Sequence, residues 1–271
     1  MTHIIQSELP PATKGELYLR VANWAADEED FALALKASEK ALEIDSTNIV
    51  AKTLKARSLA KLGQVEAAEA ELKDAPADPR VENERGCLAL AQGRLDQAEA
   101  HFRGILARDP ADSVAATNLA QVLILKGKIE EALTTVYPFA TSNQQSSAKP
   151  VLLGARCLNS LERYIEALNL LSLTDTATMK PEELLEWNLI QGNAHFGLEN
   201  WDQAADYYFE AYSIDSENPE LLFRIGLLML RLRRWEDAEN AFIRVLASEP
   251  NHQEAHTLLE VSRSMQVMEA R

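Results

Sequence analysis

Apolar positions recur along this chain at spacings of three and four residues, in pairs of stripes separated by a short polar break. Residues 189–215, LIQGNAHFGLENWDQAADYYFEAYSID, contain one such pair. This spacing is typical of amphipathic helices that bury one face. The pattern therefore predicts helix–turn–helix units, whose helices end where prolines such as Pro110, Pro219 and Pro250 follow.

The helical pair repeats seven times in one register. A small residue in the first helix is followed twelve positions later by an alanine, and both series advance by 34, 30, 34, 35, 37 and 34 residues. Small side chains at both positions allow two helix axes to approach closely. The small residues are Ala22, Ala56, Gly86, Ala120, Ala155, Gly192 and Gly226. The alanines are Ala34, Ala68, Ala98, Ala132, Ala167, Ala204 and Ala238. The residues three before them, expected to fill the turn, are Phe31, Val65, Leu95, Ile129, Tyr164, Trp201 and Trp235.

This pattern resembles the tetratricopeptide repeat, which has a small residue at position eight, alanine at position twenty, and an aromatic or aliphatic residue at position twenty-four. The resemblance covers residues 15–252, with repeats starting near residues 15, 49, 79, 113, 148, 185 and 219. It implies an all-α, right-handed α-solenoid of seven repeats. Residues 1–14 then form an N-terminal tail and residues 253–271 a capping helix, so that fifteen helices are expected.

Departures from the 34-residue period predict irregular joints. Pro76 and Pro79 are expected to shorten the second helix of repeat two by about one turn. Residues 141–150 and 173–183 are rich in serine, threonine and proline, which predicts longer exposed loops. The position-twenty-four residues are Ser38, Leu72, Phe102, Val136, Leu171, Tyr208 and Phe242, so the first repeat fits the pattern least well.

In the tetratricopeptide family, positions two, five, nine, twelve and thirteen of each repeat face a concave groove. The resemblance therefore implies a peptide-binding surface made of Arg57, Asn83, Gln121, Arg156, Asn159, Leu189, Asn193, Phe196, Phe223 and Leu227. The groove positions of repeats four to seven are mostly apolar. An exposed apolar patch of roughly several hundred Å² usually marks a contact surface. A peptide or helix of another protein is thus the expected occupant.

The polar residues of this surface suggest how such a segment is held. Asn193 and Gln121 can donate to and accept from a peptide backbone, and Arg156 can pair with a ligand carboxylate. An alternative stays open, in which the apolar residues pack against neighbouring helices because the groove register is displaced by one residue. If Arg156 and Asn193 face solvent, replacing them changes stability by no more than about 0.5 kcal/mol.

The clamp for C-terminal carboxylates that some members of the family carry is not matched here. It needs lysine and asparagine at positions two, five, six and nine of three adjacent repeats. Repeat two has Leu54 where asparagine is needed, and repeat three has Glu84 where a cation is needed. A chaperone-tail ligand is therefore disfavoured.

Charge excludes some classes of partner. The 271 residues include 42 acidic and 27 basic side chains, giving a net charge of −15. Such a chain is poorly suited to phosphate backbones or anionic lipid, so no nucleic acid is expected, which also disfavours the RNA-binding pentatricopeptide repeats. The chain lacks an uncharged apolar run of 18 residues, so no membrane insertion is expected. Residues 185–271 carry 15 acidic and 7 basic side chains, which favours approach of a basic partner.

Catalytic motifs are absent from the sequence. It contains no G-x-S-x-G, G-x-x-x-x-G-K-[ST], H-E-x-x-H or G-x-G-x-x-G pattern. Cys87 and Cys157 lie 70 positions apart within apolar stretches, which predicts free thiols and not a disulfide framework. The chain is therefore expected not to be an enzyme and to bind no cofactor.

Histidines provide only one spacing that suits a metal. His252 and His256 are four residues apart, but a site would need Glu249 or Glu260 as well. His195 is interpreted as a hydrogen-bonded packing residue and not as a catalytic base. No metal is therefore expected.

These observations favour a cytoplasmic adaptor or assembly chaperone, monomeric or weakly dimeric. Family analogy alone associates it with bacterial secretion, pilus or envelope assembly. The alternative is a structural or regulatory subunit that docks on an enzyme or self-associates through an apolar face of the last helix, containing Val261, Met265, Val267 and Met268. The N-terminal tail, with Pro10 and Pro11, is a further candidate occupant of the groove.

Overall fold

The computed structural model describes residues 10–142 and 147–269. These residues form fifteen α-helices and a short 3-10 helix, Thr176–Thr178, and they include no β-strand. The predicted all-α fold is confirmed. The helices fall into two compact units, residues 1–127 (unit 1) and residues 128–271 (unit 2).

Unit 1 consists of three helical pairs and one further helix. The helices are α1 Pro11–Asp27, α2 Phe31–Ile44, α3 Ile49–Lys61, α4 Val65–Lys73, α5 Pro79–Ala91, α6 Leu95–Leu106 and α7 Ser113–Leu125. The first helices of successive pairs contact one another, α1 with α3, α3 with α5, and α5 with α7. Each second helix packs against the first helix before it and the first helix after it. The unit is therefore a two-layer stack, with the first helices in one layer.

Unit 2 continues the same arrangement. Its helices are α8 Ile129–Ala140, α9 Lys149–Ser160, α10 Tyr164–Leu171, α11 Pro181–Gly197, α12 Trp201–Ile214, α13 Pro219–Arg231, α14 Trp235–Ser248 and α15 Gln253–Glu269. The first helices α9, α11 and α13 form one row, and α10 and α12 pack between successive members of that row. Helix α8 packs against α9, and α15 packs against α14.

Side chains that cap helix N-termini explain where several first helices begin. Asn48 accepts a hydrogen bond from the backbone N–H of Ala51 at 3.0 Å, and Asp112 accepts one from Ala115 at 2.8 Å. An N-cap oxygen satisfies an amide that the helix leaves without an internal partner. Polar residues at these positions therefore set the start of α3 and α7.

Several boundaries differ from the sequence prediction. Helix α1 begins at Pro11, inside the predicted tail 1–14, and α11 begins at Pro181, four residues before the predicted repeat start. Proline suits the first turn of a helix because its missing N–H has no helical partner there. The predicted loop 173–183 therefore contains a 3-10 helix and the start of α11. Residues 1–9, 143–146 and 270–271 of the predicted tail, loop and cap lie outside the described residues.

The close approach of paired helices is confirmed by burial. All seven repeat alanines, from Ala34 to Ala238, have no exposed surface. The small residues in the first helices are buried as well. A larger side chain at either position would force the two helices apart.

Glycine in a first helix is matched by an aromatic ring sixteen residues later. A Cβ at Gly86 would lie 2.6 Å from Phe102 Cε1, and a Cβ at Gly226 would lie 2.6 Å from Phe242 Cε1. Gly192 is in still closer contact with the ring of Tyr208. In the other four repeats an alanine precedes a smaller residue at the same separation, namely Ser38, Leu72, Val136 or Leu171. At the three glycines the two positions therefore fill one volume, and residue size varies reciprocally between positions eight and twenty-four along the chain.

Every helical pair turns through one residue with positive φ. These residues are Glu29, Gly63, Gly93, Gly127, Glu162, Glu199 and Arg233, with φ between 57° and 79°. In six of these turns the residue after the left-handed position donates its N–H back to the first helix, as from Asn200 to the His195 carbonyl at 2.9 Å. This is the hydrogen bond of a Schellman motif. Four of the seven turns place a non-glycine residue in a conformation that favours glycine.

The shortened joint after repeat two is confirmed. Helix α4 has nine residues whereas α2 has fourteen, and Pro76 and Pro79 follow it. Arg85 donates through Nη2 to the carbonyl oxygens of Leu72, at 2.7 Å, and Ala75, at 3.2 Å. These bonds satisfy carbonyl groups at and beyond the end of the short helix.

Gly192→Ala is expected to destabilise unit 2 by about 1–3 kcal/mol, because its Cβ overlaps the Tyr208 ring. Gly104→Ala is the matched control, since a Cβ at this helical glycine meets nothing within 4 Å. Alanine should stabilise α6 there by about 0.5–1 kcal/mol. Urea unfolding measures both changes, and hydrogen exchange of the α11 and α12 amides localises the effect of Gly192→Ala. Equal effects at the two glycines would contradict the close contact.

Glu199→Gly is expected to stabilise the α11–α12 turn by about 0.5–1 kcal/mol, because glycine adopts positive φ without a Cβ penalty. Gly63→Ala, at the equivalent turn of α3 and α4, should destabilise by a similar amount. Thermal and urea unfolding of both variants check the pair. A loss of stability in Glu199→Gly contradicts the assignment of strain to this turn.

Candidate functional site

A cavity of about 640 Å³ lies along the row of first helices in unit 2. Helices α9, α11 and α13 contribute most of its lining, and we call it the α9–α11–α13 cavity. Its lining residues are Arg156, Asn159, Ser160, Glu162, Tyr164, Glu182, Leu185, Glu186, Leu189, Ile190, Asn193, Phe196, Gly197, Asn218, Glu220 and Arg224. Five of the ten residues predicted for the groove are among them: Arg156, Asn159, Leu189, Asn193 and Phe196.

The apolar part of the cavity comes mainly from one face of α11. Leu185, Leu189 and Phe196 lie along this face, and the Phe196 ring packs edge-on against Trp201 with centroids 5.1 Å apart. Tyr164 from α10 covers Gly197, where a Cβ would collide with the tyrosine ring. The cavity wall therefore depends on a glycine that admits an aromatic ring from the preceding helical pair.

Two asparagines present opposite hydrogen-bonding groups. Asn159 Nδ2 donates to the Ile190 carbonyl at 2.8 Å, whereas its buried Oδ1 has no hydrogen-bond partner among the described residues. Asn193 Oδ1 accepts from the Tyr208 hydroxyl at 2.8 Å, which orients its Nδ2 as a donor. One amide thus has an acceptor without a partner, and the other has a donor on the same helical row. In chemical type this pair is complementary to the C=O and N–H of a peptide backbone, although Asn159 Oδ1 itself has almost no exposed surface.

Charged side chains surround the apolar part of the cavity. Arg156 Nη1 lies 3.3 Å from Glu186 Oε1, and Arg224 Nη2 lies 3.9 Å from Glu220 Oε1. Glu162 and Glu182 add two further carboxylates. Burial raises the pKa of Glu186, and the neighbouring carboxylates of Glu220 and Glu183 raise it further, whereas Arg156 and Lys149 act in the opposite direction.

Two of the predicted groove residues belong largely to the helix packing. Leu189 and Phe223 are each only 9% exposed. The Phe223 ring packs on Phe242 and stacks on His252 with centroids 4.8 Å apart, and Leu227 is half-buried in the same cluster. Neither Phe223 nor Leu227 is among the residues that line this cavity. Both pack in the cluster that includes Phe242 of α14 and Ala255 of α15. A groove role for them stays a prediction. Leu189 contacts the Tyr208 cluster and still lines the cavity wall.

The remaining predicted residues lie in unit 1 and outside this cavity. Arg57 on α3 donates through Nε to Glu84 at 3.1 Å, and the Glu84 side chain is buried. Asn83 on α5 accepts through Oδ1 from Asn118 at 2.9 Å. Gln121 on α7 is exposed. The structure therefore does not join these three residues to the cavity.

Some cavity residues were missed at the sequence level although a signal was present. Glu186 and Glu220 occupy position two of repeats six and seven, 34 residues apart, and position two was already identified as facing the groove. Leu185 lies at position one, which the family pattern does not assign to the groove. Arg224 lies at position six, which enters the family pattern only through the carboxylate clamp. Tyr164 reaches the cavity as the first residue of α10, and nothing in its spacing indicated that.

The structure also revises the predicted role of Asn193. Its Oδ1 is the acceptor for the hydroxyl of Tyr208, which is 1% exposed. A buried hydroxyl that loses its partner destabilises the fold. The structure therefore predicts that replacing Asn193 lowers the stability, whereas the sequence alone led us to expect little change.

Histidine and cysteine side chains serve packing. The His195 ring stacks on Tyr207 with centroids 5.3 Å apart, but its Nδ1 has no hydrogen-bond partner among the described residues, contrary to the predicted hydrogen bond. Burial lowers the pKa of His195. Burial also raises the pKa of Cys87 and of Cys157 to about 11, so both thiols stay protonated and unreactive at neutral pH.

The histidine pair at the start of α15 is engaged in local contacts. His252 Nδ1 accepts from the Ala255 backbone N–H at 3.2 Å, and His256 Nε2 lies 2.9 Å from the Pro250 carbonyl. Within residues 10–142 and 147–269, no three histidine, cysteine or acidic side chains come together as metal ligands. In the same part of the chain no helix has the length and apolar character needed to cross a bilayer.

Comparisons with known proteins agree with the repeat pattern. The tetratricopeptide repeat profile matches residues 25–84, 89–138 and 195–261. Tetratricopeptide repeat protein 21B of mouse is 28% identical over 169 residues, which cover 60% of this chain and 12% of the mouse protein. Its human counterpart is 25% identical over 242 residues, which cover 84% of this chain and 18% of the human protein. The chain thus spans less than a fifth of the length of these curated relatives.

Solved structures show the same fold. PilW, a type IV pilus biogenesis factor, superposes with a TM-score of 0.65 at 17% identity, covering 79% of this chain and 99% of PilW. A tetratricopeptide repeat protein from Parabacteroides merdae gives a TM-score of 0.62 at 14% identity, and the match covers 92% of this chain and 98% of that protein's chain. At these identities the likeness concerns the fold alone. The profile matches more than half of the residues, and the chain belongs to the tetratricopeptide repeat family.

Proposed function

We propose that this chain is a protein–protein interaction adaptor and that its α9–α11–α13 cavity binds an extended segment of a partner protein. The observation that carries the proposal is the cavity itself, which brings five predicted groove residues from two first helices together. Its volume of about 640 Å³ lies within the range typical of ligand sites. It is large enough to receive a few side chains of an extended segment.

The two asparagines support a peptide as the ligand. Asn159 Oδ1 has almost no exposed surface, so a ligand N–H pairs with it only after the surrounding side chains shift; that pairing recovers the free energy that a buried acceptor without a partner costs. The Asn193 amide can donate to a ligand carbonyl while its oxygen holds Tyr208. Leu185, Leu189 and Phe196 offer apolar contact between these two groups. A backbone with apolar side chains matches all of these features.

The finer assignments of the sequence analysis remain predictions. One fold relative is a pilus biogenesis factor, but the likeness concerns the fold, so a role in pilus, secretion or envelope assembly is not carried over. A non-catalytic role, a cytoplasmic location and a monomeric or weakly dimeric state are likewise still predictions. The alternative of self-association through α15 keeps one supporting observation, since Val261, Val267 and Met268 are exposed there.

Asn159→Ala is expected to weaken peptide binding about three- to tenfold, the effect of losing one hydrogen bond. Peptides are selected from a degenerate decapeptide pool by the wild-type chain, resynthesised with fluorescein, and titrated by anisotropy. Asn169→Ala is the matched control, because this amide is exposed on α10 outside the cavity. If the selected peptides bind Asn159→Ala as tightly as wild type, their binding site lies outside the cavity and the proposal is refuted.

Asn193→Ala is expected to lower stability by about 1–3 kcal/mol, because it leaves the Tyr208 hydroxyl buried without an acceptor. Tyr208→Phe in the same chain removes that hydroxyl, so the double variant should lose less than the sum of the single losses. Urea unfolding of the four proteins measures this coupling. Strictly additive losses would show that the hydrogen bond does not contribute.

A further inference from the structure

We infer that the segment bound in the α9–α11–α13 cavity carries a lysine or arginine side chain, which binds between Glu186 and Glu220. In the free protein Arg156 partly occupies that position as an internal counter-ion. The inference rests on the proposed function, because it describes the ligand of the same cavity. It reverses the sequence-level expectation that Arg156 pairs with a carboxylate of the ligand.

The balance of charges in the cavity is the first argument. Its lining includes four carboxylates, from Glu162, Glu182, Glu186 and Glu220, and two guanidinium groups, from Arg156 and Arg224. Four acidic groups against two basic ones leave the lining with a formal charge of −2. A cationic side chain therefore complements the cavity, and an acidic one is repelled.

The distances give the second argument. Arg156 Nη1 lies 3.3 Å from Glu186, and Arg224 Nη2 lies 3.9 Å from Glu220, so each pair is longer than a well-formed charged hydrogen bond. Exposed pairs of this kind contribute little. The carboxylates thus keep capacity for an additional donor, and Glu186 has its pKa raised by burial and by Glu220 and Glu183 despite Arg156.

Hydrogen-bonding capacity in the cavity gives the third argument. The carboxylates of Glu162, Glu182, Glu186 and Glu220 in the lining are acceptors and offer no donor. An ammonium or guanidinium group brings three or five donors and no acceptor, so it matches this set of acceptors.

The wider charge distribution assists the encounter. Residues 185–271 carry 15 acidic and 7 basic side chains, more than half of the net charge of the whole chain. A field of this sign accelerates association with a basic segment, and salt screens it. Arg156 then competes with the ligand cation for Glu186, so removing its charge strengthens binding of a basic segment.

The test uses the full chain and three acetylated, amidated octapeptides that alternate leucine with lysine, glutamine or glutamate. Each peptide carries fluorescein and is titrated by anisotropy against wild type, Glu186→Gln and Arg156→Gln. Glu210→Gln is the matched control, since this carboxylate is exposed on α12 outside the cavity. The lysine peptide should bind tightest and the glutamate peptide weakest. Glu186→Gln should weaken the lysine peptide about three- to tenfold and leave the glutamine peptide unchanged.

Arg156→Gln should instead tighten the lysine peptide, and Glu210→Gln should leave it unchanged. If the lysine peptide binds no more tightly than the glutamine peptide, or if Arg156→Gln weakens it, the inference is overturned. The proposed function then still stands on glutamine-peptide binding that Asn159→Ala weakens. A glutamate peptide that binds tightest restores Arg156 as a carboxylate partner. Absence of binding by all three peptides at millimolar concentration overturns both proposals.

Discussion

The close approach of two helices in each repeat is the constraint on which the rest of this structure depends. The alanines of the second helices have no exposed surface, and the first helices present only alanine or glycine at the facing position. Two axes this close must be joined by a tight turn, and a residue with positive φ provides it in every pair. Because the turn and the contact recur together, the first helices align in one row in each unit. The cavity of unit 2 is a consequence of that row.

Position eight is glycine where position twenty-four is an aromatic ring, and alanine where position twenty-four is smaller. Different pairs of residues can therefore occupy equivalent positions in the repeats. Tyr208 fills the space over Gly192, and its hydroxyl then needs an acceptor, which Asn193 supplies. A residue facing the cavity is in this way recruited into the core of its own repeat. Asn193 consequently serves both the fold and the candidate site, whereas Asn159 keeps its acceptor without a partner. The two amides are therefore not equivalent, although family position alone would treat them alike.

The fold could be predicted well from the sequence because the spacing of apolar residues indicates which side of each helix is buried. The series ending in Ala238, the short α4 and the helical pairs all follow from spacing and from proline. The site was harder to predict. On one helix, a residue that faces the groove and a residue that faces the neighbouring helix can be adjacent in the sequence. Phe223 falls on the buried side of that division although its repeat position assigns it to the groove, and Glu186 falls on the open side. Loop 173–183 was misjudged because Pro181, a typical loop residue, also suits the first turn of α11.

The charge of the cavity depends on which side chains the fold brings together, and no single residue of the sequence shows it. Arg156 on its own suggests an anion-binding groove, but α11 places Glu186 beside it and α13 adds Glu220. The position of these acids is in turn set by packing, because Gly197 admits the ring of Tyr164 and so fixes how α11 lies against the preceding pair. A side chain at Gly197 would move the helix that carries Glu186 and the apolar face together. The shape of the cavity and the position of Glu186 are thus coupled through one glycine, and a change that alters the packing there alters what the cavity can bind.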